Sequence, residues 1–312
     1  MAYLRFQYTF TVFTPAFNRA HLLPRVYASL QQQTFRDFEW LVVDDGSTDN
    51  TRKLVQSWVR QADFPIHYVW QMNQGKHVAY NRATTEARGE LFLTLDSDDW
   101  CVPEALERLK YHWDSIPEGE RNHFSAVTVL CIDRYGRVLG DPFPVDALDS
   151  TPFELLTRFG TRGDKWGFQR TTILKEYPFP TIPGETYMPE GVLWNRIGQR
   201  YKTRYINDKL KVVEYNKDGL TASANMIRRR NPLGACLYYQ EFICLPISTR
   251  LRITNLASYL RFAFHARKRP RQMILESGWP IWAIILLPFG YAAYRWDELR
   301  TRLDSCHKAN GA

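Results

Sequence analysis

Cysteine is scarce in this 312-residue chain, and the 5 present (Cys101, Cys131, Cys236, Cys244 and Cys306) show no C-x-x-C or C-x-x-H spacing. That excludes a zinc module and a disulfide scaffold, and it suggests a reducing compartment. The N-terminal MAYLRFQYTFTVFTP lacks the long apolar core and small-residue cleavage site of a signal peptide. Internal repeats, low-complexity tracts and any Ser-His-Asp or Cys-His arrangement are missing too. Acidic residues are in the minority, 33 against 41 Lys plus Arg, for a formal charge of +8. A basic balance favours anionic partners such as nucleic acid, nucleotide sugars or an anionic membrane face. With 45% apolar and 24% charged residues, the chain is neither disordered nor collagenous. Aromatics are abundant, at 14%, which fits sugar-stacking surfaces, a membrane interface or large buried rings. The length allows one large domain or two modest ones.

Residues 8–14 are β-branched and aromatic and read as a buried strand that Pro15 stops. A helix is expected over His21–Gln33 and a second strand over 38–43, ending at Asp44-Asp45-Gly46-Ser47. Thr48-Asp49-Asn50 caps a helix reaching about Val59. A third strand, Ile66–Trp70, leads into Asn73-Gln74-Gly75 and a helix over 78–87 with Gly89 at C′. A fourth strand, 91–95, ends at Asp96-Ser97-Asp98-Asp99. Such alternation specifies an α/β fold with a mostly parallel sheet between helices. Ligands of these sheets sit beyond the carboxyl ends of the strands. The polar clusters 14–19, 44–47, 73–76 and 96–99 all fall there, so one crevice is expected to hold them.

From about residue 120, short strands alternate with Pro- and Gly-rich loops, which predicts a mixed extension of the sheet. A helix is expected over 190–202, with edge strands over 203–207 and 210–214. The first domain is drawn as 1–222 and a helical extension as 223–312. Within that extension, residues 277–294 (SGWPIWAIILLPFGYAAY) carry no charge, but Pro280, Pro288 and Gly290 interrupt them. Their apolar heart rises only ~24 Å against a hydrocarbon core of ~30 Å. Arg267, Lys268, Arg269 and Arg271 precede the run; Arg295, Arg300 and Arg302 follow it. Positive-inside logic keeps both flanks cytoplasmic. A re-entrant or in-plane segment meets these constraints, and a helical hairpin buried in a soluble protein is the alternative.

Three carboxylates within Asp96–Asp99 are costly to gather without a cation. An Asp-x-Asp at a strand end suits a hard divalent ion that also takes substrate phosphate oxygens. The plainer alternative, a solvated acidic cap before Pro103, loses ground beside the second acidic cluster at 44–47. Asp45 is placed to accept the imino N–H of a pyrimidine or guanine base, with Gly46 allowing close backbone approach; a simple Asp-Gly turn is the alternative. Gly75 permits a tight approach, and Lys76 and His77 can face a diphosphate; a turn leading into an ordinary helix is the alternative. Trp166 is either a sugar-stacking or a core residue, and Lys165 and Arg170 lie near phosphate or in solvent.

TPAFNR at 14–19, VVDDGSTDNT at 42–51, NQGKHVAYNRA at 73–83 and LDSDDW at 95–100 together resemble the family 2 glycosyltransferases of the GT-A fold. The resemblance covers residues 9 to about 215. It implies inverting transfer of a sugar from a nucleoside-diphosphate sugar, with Mg²⁺ or Mn²⁺ as cofactor. It implies Asp45 at the nucleobase, Asp96 near the ribose and Asp98 as ligand to the metal on the diphosphate. Thr14, Pro15, Asn18, Arg19, Gly75 and Lys76 complete the expected donor site. Where the family carries Ala-Arg-Asn, this chain has Ala79-Tyr80-Asn81, and Lys76 or Arg82 is left to supply the charge. Where the family carries Glu-Asp, it has Glu190-Gly191. Glu190 is therefore the expected general base, with Glu185 in reserve; capping of the following helix is the alternative role for Glu190. The expected partners are the donor, a glycan or lipid-linked acceptor and a peripheral or re-entrant membrane contact, with no nucleic acid. The expected location is cytoplasmic, at the inner face of the cell membrane. Two other readings compete: a basic binding or scaffold protein with a degenerate transferase domain, and a nucleotidyltransferase. The second requires a Gly-rich basic loop after the first strand, where TPAFNR stands.

Overall fold

The structure, a computed structural model, describes residues 6–214 and 224–310, with 224 and 302–310 described by backbone alone. Met1–Arg5, the boundary drawn at 222, and the side chains of Arg302 and Cys306 lie outside the described residues. The chain forms two compact units, Met1–Pro180 with Arg196–Lys217, and Thr181–Asn195 with Asp218–Ala312.

The first unit is a sheet of β1 (Tyr8–Ala16), β2 (Phe38–Asp45), β3 (Ile66–Gln71), β4 (Gly89–Thr94), β5 (Trp100–Cys101), β6 (Phe124–Ile132), β7 (Ala147–Ser150), β8 (Lys165–Arg170) and β9 (Lys202–Val212). The order is β3-β2-β1-β4-β8-β6-β9-β5, and β7 also pairs with β9. β3, β2, β1 and β4 run parallel. β8 is antiparallel to both β4 and β6, and β9 is parallel to β6. The helices α1 (Leu23–Gln31), α2 (Thr51–Val59), α3 (Lys76–Glu86) and α4 (Ala105–Asp114) complete the expected α/β frame.

Every residue of β2 is buried, as a strand covered on both faces requires. Alternate residues serve different faces. Phe10, Val12, Trp40, Val42, Leu91 and Leu93 share one core with Leu23, Val26 and Leu30 of α1 and Val55 and Trp58 of α2. On the other parity, Phe13 and Phe92 meet Tyr80 of α3, with ring centroids 5.7 and 5.2 Å away.

Three local expectations are corrected. Pro15 does not stop β1, which runs to Ala16 with Pro15 in register with Val43. Gly89 is not a helix C′ residue but opens β4. A Cβ there would lie 2.2 Å from the Thr11 nitrogen, so close strand approach explains the glycine. The two expected edge strands are one strand, β9, and it lies inside the sheet.

The second unit packs the helices Pro232–Ile243, Thr249–His265, Pro270–Glu276 and Pro280–Asn310 around Ala235, Leu256, Tyr259, Leu260, Phe262, Met273 and Ala283. The uncharged run is not broken at its prolines. Pro280 begins the last helix, where its missing N–H costs nothing, and Pro288 lies within it. Among the described residues, no helix is long and apolar enough to cross a membrane.

Candidate active site

The parallel strands deliver their following loops to one edge of the first unit. Asp45, the last residue of β2 and 5% exposed, organises the loop after β3. Its Oδ1 accepts hydrogen bonds from Gln71 Nε2 (2.7 Å) and the Gln74 N–H (3.0 Å), and its Oδ2 accepts from the Gly75 N–H (2.8 Å). A carboxylate has about four acceptor positions, so one remains, on Oδ2. Gly46 has φ +87°, and a Cβ there would lie 2.8 Å from the Asn73 nitrogen, so both conformation and space demand glycine.

Asn18 ties the loop after β1 to the loop after β2. Its N–H donates to Ser47 Oγ (2.8 Å), and its Oδ1 accepts from the Thr48 N–H (2.8 Å). The Arg19 N–H donates to Thr51 Oγ1 (3.1 Å). Thr14 is fully buried, its Oγ1 accepting from Trp40 Nε1 (2.9 Å). Asp44 is also fully buried and accepts from Tyr68 Oη (2.6 Å) and the Ser47 N–H (2.8 Å). The side chains of Asn18 and Asp44 thus build the loops, and that of Thr14 ties β1 to β2.

The acidic stretch after β4 meets lysines from two directions. Lys76 Nζ lies 2.8 Å from Asp96 Oδ1. Lys211 Nζ lies 2.6 Å from Asp99 and 4.0 Å from Asp96. Topology explains the second meeting: β6 and β9 run in the same sense as β4, so the end of β9 reaches the edge where β4 ends. Burial alone would raise the Asp96 pKa, but Lys76 and Lys211 hold it below the ordinary value and keep the group ionised. Asp99 is more deeply buried, and burial pushes it up to about 6 against the pull of Lys211. Burial would lower Lys211, yet Asp96 and Asp99 keep its pKa raised and its charge in place.

Asp98 differs from its neighbours. Its backbone carbonyl accepts from Arg25 Nη2 (2.5 Å), but its half-buried carboxylate has no hydrogen bond or ion pair among the described residues. The Arg25 guanidinium stacks 4.3 Å from the Trp100 ring centroid and pairs with Glu214. Among the described residues, no group of three His, Cys, Asp or Glu side chains is arranged to hold a metal ion. The donor set fits a hard divalent ion that takes one protein carboxylate and completes its shell from phosphate and water.

Sequence reasoning passed over Lys211, Arg25 and Glu214. A lysine within the apolar run LKVV is the one signal that marked Lys211. The structure also bears on three residues whose roles the sequence left open. His77 is buried in α3, with a pKa lowered by desolvation against the opposing charge of Asp45. Trp166 is a core residue whose Nε1 donates to the Thr94 carbonyl (2.6 Å). Lys165 donates to the carbonyls of Asp141 (2.9 Å) and Arg162 (3.0 Å).

Glu190 belongs to the second unit, in the segment Thr181–Asn195. It is exposed and precedes the helix Gly191–Gly198, its carbonyl accepting from the N–H groups of Leu193 (3.0 Å) and Trp194 (3.2 Å). A Cβ on Gly191 would lie 2.5 Å from the Tyr238 ring, which accounts for the missing second acid. Glu185 is committed elsewhere: its carboxylate accepts from the N–H groups of Leu233 (2.6 Å) and Gly234 (2.7 Å), capping the helix Pro232–Ile243.

Residues 11–133 match the model of Glycosyl transferase family 2. Over that segment, the chain is similar to glycosyl transferase family 2. The family match runs from β1 to the end of β6 and so takes in Asp45, Gly75, Lys76, Asp96 and Asp98 but neither Glu190 nor Lys211. An uncharacterized glycosyltransferase of Nostoc sp. is 40% identical over 93 residues, 30% of this chain and 29% of that one. A GalNAc(5)-diNAcBac-PP-undecaprenol beta-1,3-glucosyltransferase of Campylobacter jejuni is 28% identical over 231 residues, 72% of this chain and 71% of that one. Matches to the Nostoc protein and a Mycoplasma pneumoniae relative thus span 29% and 38% of those relatives' lengths. Among solved structures, S. aureus TarS 1–349 aligns with a TM-score of 0.62 at 19% identity, over 96% of this chain and 92% of that one. The mannosyltransferase PcManGT of Pyrobaculum calidifontis, in complex with GDP-Man and Mn²⁺, aligns with a TM-score of 0.56 at 19% identity, over 94% and 89%. At those identities the likeness is one of fold, and the chain has the GT-A architecture of its neighbours.

Proposed function

We propose that the chain transfers a glycosyl group from a nucleoside-diphosphate sugar to a hydroxyl of a lipid-linked or surface glycan, with inversion at the anomeric carbon. The observation that carries this reading is the charge pattern at the sheet edge: Asp96 and Asp99 are held by Lys76 and Lys211, while the Asp98 carboxylate has no partner among the described residues. Support for a lipid-linked acceptor comes from the Campylobacter jejuni relative, which is named for one.

In this reading, the remaining acceptor position on Asp45 Oδ2 takes an imino N–H of the base, and Gly75 lets the backbone approach the ribose side. Asp96, ionised between two lysines, takes ribose hydroxyls. Lys76 turns its ammonium toward the diphosphate. Asp98 would hold Mg²⁺ or Mn²⁺, which when bound offsets the negative charge on the diphosphate. Glu190 accepts the proton of the attacking acceptor hydroxyl, and the sugar–phosphate bond breaks on the opposite face. No covalent enzyme intermediate is needed. We place the chain at the cytoplasmic face of the cell membrane, where a lipid-held acceptor is within reach.

The experiment is a thermal-shift panel of UDP-, GDP- and dTDP-sugars with Mn²⁺. Binding to the folded state alone raises Tm. One base class should stabilise the chain in a Mn²⁺-dependent manner; no shift with any of them refutes the reading.

A further inference from the structure

Between residues 281 and 300, the helix Pro280–Asn310 turns one face inward and leaves the other exposed. Ala283, Gly290 and Asp297, seven residues apart, face in. A Cβ on Gly290 would lie 2.6 Å from Leu260 Cβ, so this helix and Thr249–His265 touch backbone to side chain. Asp297 accepts from Arg261 Nε (2.7 Å) and Nη2 (2.5 Å) and lies 2.9 Å from His265 Nε2. These contacts fix the helix in rotation. At 100° per residue, Ile281, Ile285, Phe289, Trp296 and Leu299 then fall on the opposite side.

Those residues are exposed: Ile281 by 74%, Phe289 by 66% and Trp296 by 68%, with Ile285 and Leu299 about half. The stripe runs ~27 Å along the helix. Ile284 and Trp282 widen it, and no charge falls on the helix before Arg295. A continuous apolar strip of this kind on a water-facing helix marks an interaction surface.

The charges that flank it along the chain select the occupant. Arg267, Arg269, Arg271, Arg295 and Arg300 are exposed. Of the nearby acids, Asp297 is paired inward, Glu276 is bound by Lys268 and Gln272, and Glu298 is half-buried. A second copy docking by two-fold symmetry sets the same arginines against each other. An anionic lipid surface attracts all of them and accepts the apolar stripe between. Trp282 and Trp296, near the two ends, suit the headgroup layer.

We propose that this face of the helix lies in the plane of an anionic phospholipid bilayer, with its apolar stripe in the headgroup–acyl boundary. The proposal rests on the reading above only in what the docking brings within reach, a lipid-held acceptor; the surface stands without it.

The test is flotation of the full chain with phosphatidylglycerol vesicles and with phosphatidylcholine vesicles. The chain should float with the first and far less with the second. The Ile285→Glu/Phe289→Glu variant should lose at least about tenfold in bound fraction while keeping its Tm. Arg267→Gln and Arg269→Gln should each lower binding to phosphatidylglycerol by roughly fivefold and leave phosphatidylcholine binding unchanged. A chain that stays in the aqueous layer with phosphatidylglycerol overturns the proposal. So does a dimer that the Glu variant splits, which assigns the face to a second copy. Vesicle binding without any nucleotide-sugar binding counts against the transferase reading alone.

Discussion

Lys76, the first residue of α3, and Asp96, in the loop after β4, form a 2.8 Å ion pair that joins the loops following two different strands of the sheet. Burial would raise the Asp96 pKa; the lysine is the main reason it stays low. The pair is about one-third exposed, so its contribution to stability is small. Under the proposed function its importance lies with the ligand. Lys76→Met should weaken nucleotide-sugar binding by about 10- to 100-fold, the worth of a charge-assisted hydrogen bond to phosphate. Calorimetric titration reads this directly, and an unchanged Kd removes Lys76 from the donor site.

Asp45 holds Gln71, Gln74 and Gly75 with three hydrogen bonds. In Asp45→Asn an amide NH₂ replaces one oxygen and faces N–H donors that it cannot accept from. We expect a loss of about 1–3 kcal/mol in stability, seen in urea unfolding, together with a loss of donor affinity. Loss of affinity with full stability would assign Asp45 to the base alone; loss of neither would leave it without a role.

Glu190→Gln keeps the shape and removes the basic oxygen. Turnover should fall by ~10²–10⁴ while donor affinity stays near wild type. Steady-state kinetics with a separate donor-binding measurement distinguish this from a capping role, in which stability falls and turnover per folded molecule does not.

Asp297 predicts an acid-sensitive second unit. Burial alone would raise its pKa, but hydrogen bonds from Arg261 and His265, with the charges of Arg261 and Arg229, hold it below the ordinary value of about 3.8. A depressed folded pKa stabilises the fold fully above the unfolded value. The stabilisation is lost as pH falls from about 3.8 through the folded value. Hydrogen exchange in the helix Pro280–Asn310 should therefore accelerate below that point, and Asp297→Asn should already exchange fast at neutral pH. Equal acid midpoints for the two proteins would contradict this.

The first four strands and their loops were legible because apolar runs of strand length end in polar clusters, and parallel topology gathers those clusters at one edge. Gly89 was misread because a glycine after a helix serves equally as a C′ residue or as the close approach of a strand. The expected break between residues 207 and 210 falls inside β9. There Asn207 Oδ1 accepts from the Phe143 N–H (2.8 Å), Asp208 pairs with Arg108 and His112, and shifts in register with β6 absorb the irregularity. Lys211 was out of reach because its place beside Asp99 follows from strand pairing far along the chain. The C-terminal run was read as interrupted, yet a proline at a helix start and a glycine at a helix crossing both leave the helix whole.

The central claim is that the loops at the sheet edge bind a nucleoside-diphosphate sugar with a divalent cation held by Asp98. Titrating the stabilising donor into wild type and Asp98→Ala, each with and without Mn²⁺, tests it most directly. Because the Asp98 carboxylate has no partner among the described residues, the variant should keep the wild-type Tm. Wild type should gain at least about tenfold in affinity from Mn²⁺, and Asp98→Ala should gain nothing. An equal gain in both proteins would contradict the account.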